Sequence, residues 1–515
     1  MIRTLLLAAA LAIGSVSLAA SQPQPQVQEP GRSGAGRPAE PGQMAGRRLP
    51  PDSTTHHVLE LPGRTLRFTA TAGALPLVDP QGAVQAELGY VAYTLDGAEG
   101  RKRPVTFAVN GGPGASSAYL HLLVAGPWRL PLGDGGSISP SQSAALLPNA
   151  ENWLDFTDLV FIDPVETGYA RATGSESEIR DRYFAVDGDV SSIAAAVARW
   201  LRTNDRMLSP KYFLGESYGG FRGPLLAQRL QTDLGIGMSG LVLLSPVLDF
   251  GWLSRPRHDP LEFVSRLPSM RAAQLERTGA ASREGLAEAE RYASGEYLAD
   301  LMRGVGDPAV VGRVSARVAE LTGLDPAVVR RAAGRIDVGT FQAEFRRAEG
   351  RVPSAYDTGV TALAPDPADP SEHGGDAVLT AMTAPLTTAA VDHLWRTLGW
   401  RVPNARYQLL NGSVSGNWRF GRGRRPPQVM DNIRQVLSLD PRMRILVAHG
   451  LTDLVTPYFA SELLLRQLPA YGGESRISLA TYPGGHMFYT RDASRAAFRA
   501  DAAALYRATA PSSAD

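Results

Sequence analysis

The stretch Lys211–Gly220, KYFLGESYGG, places a short apolar run directly before a serine that has glycines on both sides. Its centre has the form G-x-S-x-G, with Ser217 in the middle. The pattern is typical of a nucleophile elbow when a strand precedes it and a helix follows, because small neighbours let other chain segments pass close to a strained serine. YFLG is typical of a buried strand and GPLLAQRLQTDL of a helix. An ordinary loop could carry the same five residues in a chain with 53 glycines, so the motif alone leaves both interpretations open.

Strands and helices alternate outward from this motif. The apolar runs DLVFIDPV, LVLLSPVL, RILVAHG and RISLATYP have the length and composition of buried strands, and VSSIAAAVARWLRT has apolar residues at helical spacing. Earlier β-rich runs, HVLELPGRTLRFTATAG and ELGYVAYTLDG, predict a strand meander. Together these patterns predict a mixed, mostly parallel, doubly wound α/β sheet.

Shifts in composition divide the chain into five parts. Residues 1–20 have the pattern of a secretory signal peptide, and residues 21–55, rich in Pro, Gly and Gln, predict a disordered tether. Residues 56–250 and 401–515 carry the sheet patterns, whereas residues 251–400 are mainly helical and predict a cap over the strand ends. We therefore expect an exported protein, periplasmic or secreted. The alternative is an uncleaved membrane anchor, because an apolar run of roughly 18 residues can span a bilayer.

Charge and cysteine content exclude several classes of protein. The 515-residue chain has a formal net charge of +1, which gives no electrostatic reason to expect a nucleic acid or an acidic membrane surface as a partner. It contains no cysteine, so disulfides and a thiolate nucleophile are excluded. The oligomeric state is left open by the sequence.

Two further polar residues follow predicted strands near the C-terminus. Asp453 comes after RILVAHG, and His486 comes after RISLATYP. The order Ser217, Asp453, His486 is the chain order of α/β-hydrolases, and ligands bind at the carboxyl edge of such sheets. Asp440 and Asp492 are weaker candidates for the acid, since neither directly follows a strand. The pattern predicts an α/β-hydrolase fold with a helical cap and these three residues as a catalytic triad.

An α/β-hydrolase also needs donors for the oxyanion of the tetrahedral intermediate. One is the backbone N–H that follows the nucleophile, here that of Tyr218, and the other comes from a glycine-rich loop after an early strand. The segment NGGPG, residues 110–114, follows the predicted strand TFAV and fits this second requirement. An ordinary turn is the alternative interpretation of this segment.

The motifs NGGPGASS, GESYGG, TDLVTP and GGHM, in this order, resemble those of the serine carboxypeptidase family, peptidase family S10. The resemblance extends from about residue 57 to about residue 510 and suggests a bacterial, exported member. It implies that Ser217 is the nucleophile, that His486 is the general base and acid, and that Asp453 orients the histidine. It also implies a peptide substrate and a reaction that uses neither metal nor cofactor.

The resemblance also assigns the residues around the nucleophile. The backbone amides of Gly112 and Tyr218 would form the oxyanion hole, and Asn110, Gly111 and Glu216 would bind the substrate's C-terminal carboxylate. A carboxyl can hydrogen-bond to a carboxylate only if one proton is shared, so burial and like charge should raise the pKa of the glutamate. We therefore expect peptide cleavage that is best in acid. The alternative role for the glutamate is a structural hydrogen bond.

The chain departs from the family pattern at several positions. Family members usually carry a second glutamate where this chain has Val124, in LLVAGPW. Ala115 and Thr456 stand where many relatives have cysteine, and residues 163–166, DPVE, differ from the usual Asp-Gln-Pro-x-Gly. The Val124 difference favours a second hypothesis, a serine esterase or acyltransferase of the same fold. A third hypothesis, a non-catalytic peptide-binding protein, would not need an intact triad.

Overall fold

The computed structural model describes residues 48–510 apart from 134–135, 144, 254–255, 257, 370–374, 422–424 and 471–474. The strands of the described residues, in chain order, are β1 (Ser53–Leu61), β2 (Arg64–Val78), β3 (Val84–Leu95), β4 (Val105–Val109), β5 (Trp128–Arg129), β6 (Leu147–Pro148), β7 (Asp158–Ile162), β8 (Arg171–Ala172), β9 (Lys211–Glu216), β10 (Gly240–Leu244), β11 (Arg351–Pro353), β12 (Thr361–Leu363), β13 (Arg444–Gly450) and β14 (Ile477–Tyr482).

One large sheet organises the described part of the chain. Its strand order is β1-β2-β3-β7-β4-β9-β10-β13-β14, with β8 beside β3. The meander β1-β2-β3 and the pair β3-β7 are antiparallel, and every later pair in the order, from β7-β4 to β13-β14, is parallel. This mixed sheet and its helical layers confirm the predicted α/β-hydrolase fold class.

The central strands are buried over their whole length, which explains their unbroken apolar runs. Every residue of β4, β7 and β10 is buried. Strands of a parallel sheet show no alternation of apolar and polar residues, because helices cover both of its faces. The ends of these strands therefore depend on turn residues rather than on polar side chains within the strands.

Helices pack on both faces of the sheet. The α-helices of the described residues are α1 (Ala118–Leu120), α2 (Glu176–Tyr183), α3 (Val186–Thr203), α4 (Tyr218–Leu234), α5 (Leu261–Glu276), α6 (Ala287–Tyr292), α7 (Leu298–Arg303), α8 (Pro308–Thr322), α9 (Pro326–Arg331), α10 (Val338–Phe345), α11 (Ala377–Asp392), α12 (Gly412–Gly416), α13 (Met430–Leu439), α14 (Tyr458–Leu465) and α15 (Asp492–Thr509). Apolar residues of α3, α4 and α13 form one core with the sheet, and those of α11 and α15 belong to a second core.

The predicted cap contains two parts that pack differently. Helices α5 to α10 share an apolar core of their own, which also includes Leu454 and Tyr458 from the region after β13. Helix α11 lies inside the predicted cap range of 251–400, but it packs Val378, Met382 and Leu386 into a core of the main sheet. The independent insertion therefore ends before α11.

The ordered fold begins earlier than the predicted boundary at residue 56. Strand β1 starts at Ser53, whose Oγ donates to the carbonyl of Leu398 at 2.7 Å, and Leu49 is buried. The predicted signal peptide, residues 1–20, and residues 21–47 of the predicted tether lie outside the described residues. In the part of the chain that the structure describes, no helix has the length and apolar character needed to cross a membrane.

Candidate active site

Ser217 lies in the sharp turn between β9 and α4. Its φ of 58° and ψ of −119° are a combination that residues other than glycine rarely adopt. The amide of Ser217 donates to the carbonyl of Leu244 at 2.8 Å, which ties the turn to the end of β10. A Cβ on Gly219 would lie 2.4 Å from the carbonyl oxygen of Val109, so glycine is required there. The strand, the strained serine and the helix have the geometry expected of a nucleophile elbow.

Asp453 and His486 form a buried, hydrogen-bonded pair. His486 Nδ1 lies 2.8 Å from Asp453 Oδ2, and both side chains are almost fully buried. Asp453 Oδ1 accepts from the amides of Val455 at 2.8 Å and Thr456 at 3.0 Å. A carboxylate on Nδ1 favours the tautomer that leaves Nε2 free to accept a proton.

The two weaker candidates for the acid do not contact this histidine. Asp440 Oδ1 accepts from the amide of Arg442 at 2.9 Å, and Asp492 Oδ1 accepts from the guanidinium of Arg495 at 2.8 Å. Both carboxylates therefore have local structural roles, and the partner of His486 is Asp453.

Strands β9, β10 and β13 are neighbours, so Ser217 and the Asp453–His486 pair lie at the same carboxyl edge of the sheet. The ring of His486 is hydrogen-bonded to Asp453 and lies 3.0 Å from Thr456 Oγ1. Among the described residues, Ser217 Oγ is not hydrogen-bonded to that ring. Contacts of this kind commonly tighten only when substrate is bound.

Two hydroxyl residues position the pair, and neither role was predicted from the sequence. Thr456 Oγ1 lies 2.7 Å from Asp453 Oδ2 and 2.9 Å from the carbonyl of Ser245. Ser245 Oγ donates to the backbone carbonyl of His486 at 2.8 Å. The spacing Asp453-x-x-Thr456 is a readable signal for a turn in which a carboxylate accepts nearby amides. No local pattern identifies Ser245.

Burial and neighbouring charges set the protonation of the pair. Burial alone would lower the pKa of His486, but the carboxylates of Asp453, Glu216 and Asp376 outweigh it and raise that pKa above 6.5. Burial alone would raise the pKa of Asp453, but His486 and Thr456 outweigh it and hold that pKa below its ordinary value. Asp453 is therefore ionised across the neutral range and stabilises a proton on the histidine.

The glycine-rich loop after β4 packs directly against the elbow. A Cβ on Gly111 would lie 2.7 Å from the amide nitrogen of Tyr218 and 2.5 Å from the carbonyl oxygen of Glu216. Tyr218 is the first residue of α4, so its N–H has no acceptor within the helix. Gly112, with a φ of 99°, follows in the same loop. The structure thus brings together the two backbone segments predicted to supply oxyanion donors.

A buried ion pair connects these two segments. The guanidinium of Arg222 donates to Asp189 through Nε at 2.8 Å and to the backbone carbonyl of Asn110 through Nη1 at 2.6 Å. Arg222 also lies 5.0 Å from the ring centroid of Tyr218, whose hydroxyl donates to Asp189 at 3.3 Å. Arg222 and Asp189 are 1% and 4% exposed. This pair was not predicted from the sequence, because the two residues lie on different helices and neither has a local signal.

Glu216, directly before Ser217, is buried, and its carboxyl accepts a hydrogen bond from one neighbouring side chain. The hydroxyl of Tyr489 donates to Glu216 Oε1 at 2.6 Å. Burial raises the pKa of Glu216 from 4.5 to about 7, and Asp453 adds to the rise, although His486 and Tyr489 oppose it. A protonated glutamate carboxyl is therefore available at and below neutral pH.

The other predicted carboxylate-binding residues lie in the glycine-rich loop. Asn110 Oδ1 accepts from the amide of Gly111 at 2.9 Å, which leaves the side-chain NH2 group as the donor that could serve a substrate. Val124, at the position of the second glutamate, is fully buried in a π-helical turn, His121–Ala125, that continues α1. This side of the site therefore has an apolar residue where the family resemblance implies an acid.

Within the described ranges no cluster of three or more His, Asp or Glu residues has the arrangement of a metal site. The chemistry that the site can perform on its own is nucleophilic. It has a strained serine, a histidine whose tautomer is set by a buried aspartate, backbone donors and one carboxyl that is neutral at moderate pH.

Comparisons with known proteins agree with the motifs. The family model of serine carboxypeptidases, peptidase family S10, matches residues 63–249. The pheromone-processing carboxypeptidase KEX1 of Komagataella phaffii is 28% identical over 218 residues, 40% of this chain and 32% of that protein. The corresponding kex1 protein of Schizosaccharomyces japonicus is 23% identical over 275 residues, 49% of this chain and 47% of that protein. The matched region thus spans 32% of the length of the first relative and 47% of the length of the second.

A solved structure that resembles this chain superposes on it weakly. A thermophilic esterase from Thermogutta terrifontis aligns over 84% of this chain and 99% of its own, with 12% identity and a TM-score of 0.33. A score this low carries no argument about this chain.

We expect Arg222→Gln to slow the reaction of Ser217 with a fluorophosphonate probe by about a hundredfold, because displaced oxyanion donors misalign the attack. It should also destabilise the fold by about 3–5 kcal/mol, since Asp189 is left buried without its cation. Adding Asp189→Asn should recover part of the stability but not the labelling rate. Labelling within twofold of wild type in a folded Arg222→Gln variant would refute a positioning role.

We expect Glu216→Gln to change the pH dependence of stability. The raised pKa of Glu216 means that the wild type loses stability as the pH rises from about 4.5 through about 7, because ionisation is easier in the unfolded chain. The amide cannot ionise, so the variant should be more stable than wild type at pH 8 by on the order of 3 kcal/mol, and nearly equal to it at pH 4. Urea unfolding at both pH values measures the stability difference between variant and wild type. A difference that is the same at both pH values would contradict the prediction.

Proposed function

We propose that this chain, which matches the serine carboxypeptidase family over residues 63–249, removes C-terminal residues from peptides through an acyl-enzyme on Ser217. The observation that carries the proposal is the carboxyl of Glu216, buried one residue before the nucleophile and close enough to His486 for the two to influence each other's pKa. An ordinary esterase has no need for an acid in that position. A site that must bind a substrate carboxylate does, provided that the acid is protonated.

The proposed reaction follows from the roles of three side chains. Ser217 Oγ attacks the carbonyl carbon of the last peptide bond while His486 Nε2 takes its proton. The tetrahedral intermediate collapses as the leaving amine takes that proton, and the C-terminal amino acid departs. A water molecule then attacks the ester, with His486 again as base, and releases the shortened peptide. Asp453 stays ionised and stabilises the imidazolium at each step.

Backbone donors stabilise the negative charge in this scheme. The oxyanion accepts from the N–H groups of Gly112 and Tyr218, and their pre-set position avoids a reorganisation cost during the reaction. The substrate's terminal carboxylate accepts from the protonated carboxyl of Glu216 and from the side-chain NH2 of Asn110. The amide of Gly111, which donates to Asn110 Oδ1, joins them only by exchanging that bond for one to the substrate. Each donor of this set belongs to the glycine-rich loop or to the elbow around Ser217, the two segments that Arg222 connects.

One observation favours a second candidate. Val124 replaces an acid with a buried apolar side chain, which weakens the case for carboxylate recognition and favours a serine esterase or acyltransferase. The non-catalytic alternative has less support, because a strained serine and a buried Asp–His pair cost stability that simple peptide binding does not require.

We also propose that the protein is bacterial and is exported, to the periplasm or outside the cell, with peptide as its partner. Residues 1–20, with one basic residue, an apolar run and small residues, support export. The net charge of +1 supports the expectation that nucleic acid is not a partner.

The first test is mass spectrometry of an N-blocked peptide, both as a free acid and as a C-terminal amide, incubated at about pH 5 and at about pH 7, because protonated His486 cannot act as the base in acid. We expect a ladder of losses from the C-terminus of the free acid and little cleavage of the amide. Ser217→Ala, which lacks the nucleophile, is the control and should be inactive on both.

Other outcomes of that experiment would select other functions. Equal cleavage of the two peptides, or turnover of a simple ester alone, would establish the general serine hydrolase. Inactivity toward both peptides and the ester would favour the binding protein.

The pH dependence should separate carboxylate binding from chemistry. Protonation of His486 at low pH stops both the free acid and the amide, so it cancels in the ratio of their kcat/KM values. That ratio should fall as the pH rises through about 7, because ionised Glu216 repels the substrate carboxylate. In Glu216→Gln the ratio should not vary with pH. A ratio that is constant in the wild type, or an optimum for the free acid well above neutrality with unchanged KM, would overturn this role of Glu216.

A further inference from the structure

Tyr119 has a buried hydroxyl without a hydrogen-bond partner among the described residues. It belongs to α1, which follows the glycine-rich loop, and its side chain is 2% exposed. Buried hydroxyls are nearly always paired, because an unpaired donor loses its bonds to water without compensation. An exception beside a candidate active site is therefore a sign of a missing ligand atom.

The surroundings of this hydroxyl belong to the active site. Burial raises the pKa of Tyr119, and the nearby groups of Glu216 and Tyr356 raise it further, so the hydroxyl keeps its proton. Tyr356 packs its ring edge-on against that of His486, with centroids 5.1 Å apart, and its carbonyl accepts from the His486 amide at 2.5 Å. Tyr119 therefore shares one buried region with the candidate base and the candidate carboxylate binder.

The neighbouring groups do not satisfy this donor. Glu216 Oε1 accepts a hydrogen bond from the hydroxyl of Tyr489 and not from Tyr119. Val124, four residues after the end of α1, has no polar side-chain atom. A ligand that enters here meets two donors, the protonated carboxyl of Glu216 and the hydroxyl of Tyr119. A carboxylate, with two acceptor oxygens and no hydrogen, can accept from both. A terminal amide has one acceptor oxygen, and its NH2 group must find acceptors of its own.

We propose that the Tyr119 hydroxyl donates a hydrogen bond to the C-terminal carboxylate of the peptide substrate and, together with Glu216, determines specificity for free-acid peptides. The inference rests on the proposed function and deepens it. Tyr119 supplies a further side-chain donor to a site in which Val124 cannot.

The test is Tyr119→Phe, which removes one oxygen that has no hydrogen-bond partner among the described residues. The ratio of kcat/KM for a free-acid peptide to that for its C-terminal amide should fall by about tenfold to a hundredfold, as expected for a hydrogen bond to a charged group. The change should lie mainly in the KM of the free acid. Thermal unfolding should be unchanged or shifted upward, because the variant no longer buries an unpaired hydroxyl.

A matched control is Tyr292→Phe in the cap. The hydroxyl of Tyr292 is also buried without a partner among the described residues, but it lies in α6, away from the nucleophile and its partners. This variant should keep the wild-type ratio. A direct binding measurement supports the kinetics: in Ser217→Ala, adding Tyr119→Phe should weaken binding of the free-acid peptide by the same factor and leave the amide unaffected.

The outcomes separate the two proposals. If the wild type prefers the free acid and a folded Tyr119→Phe variant keeps that preference in both rate and binding, the role of Tyr119 is overturned and the proposed function stands. If the wild type cleaves only esters, or both peptides equally, the proposed function fails and this inference fails with it. A loss of preference together with a clear loss of thermal stability would point to a structural role and would also overturn the inference.

Discussion

The backbone of Ser217 has a strained conformation, with a φ of 58° and a ψ of −119°, and the rest of the site is built around holding it. Such a conformation costs about 1–3 kcal/mol and persists only when its surroundings fix it. Here the amide is tied to Leu244, and the loop after β4 approaches so closely that a Cβ on Gly111 or Gly219 would collide with backbone. The close contact is made between two segments that are distant in the chain. Each of these segments therefore needs a glycine at the point of contact.

Two buried acids near the nucleophile have opposite protonation states, and the cause lies in their donors. Asp453 receives two backbone amides, lies within hydrogen-bond distance of a threonine hydroxyl and is paired with His486, so its pKa stays low despite burial. Glu216 receives one tyrosine hydroxyl, and burial dominates and raises its pKa to about 7. The same functional group is thus held as an anion in one position and keeps its proton up to about neutral pH in the other.

The sequence could predict those features that are coded locally. Ser217, Asp453 and the glycine-rich loop each follow a strand with a clear apolar run, so their common edge of the sheet could be inferred from strand order. Helix α11 was assigned to the cap because a helical pattern does not tell which core its apolar face joins. The Arg222–Asp189 pair was missed for a related reason, since the sequence does not show whether a charged residue is buried or exposed. Only the packing of α3 against α4 makes the pair visible.

The replacement of an acid by Val124 is compatible with carboxylate recognition once the number of protons is considered. A pair of glutamates facing a substrate carboxylate brings together three acids, and at least one added proton must be shared before all of them can approach. One glutamate and one tyrosine need only the proton of the glutamate, because burial raises the pKa of Tyr119 and keeps its hydroxyl protonated. The apolar Val124 also lowers the local polarity and strengthens the remaining hydrogen bonds. Losing the second acid therefore removes a repulsive charge from the subsite, and the donor that it would have supplied is available from the neighbouring helix α1.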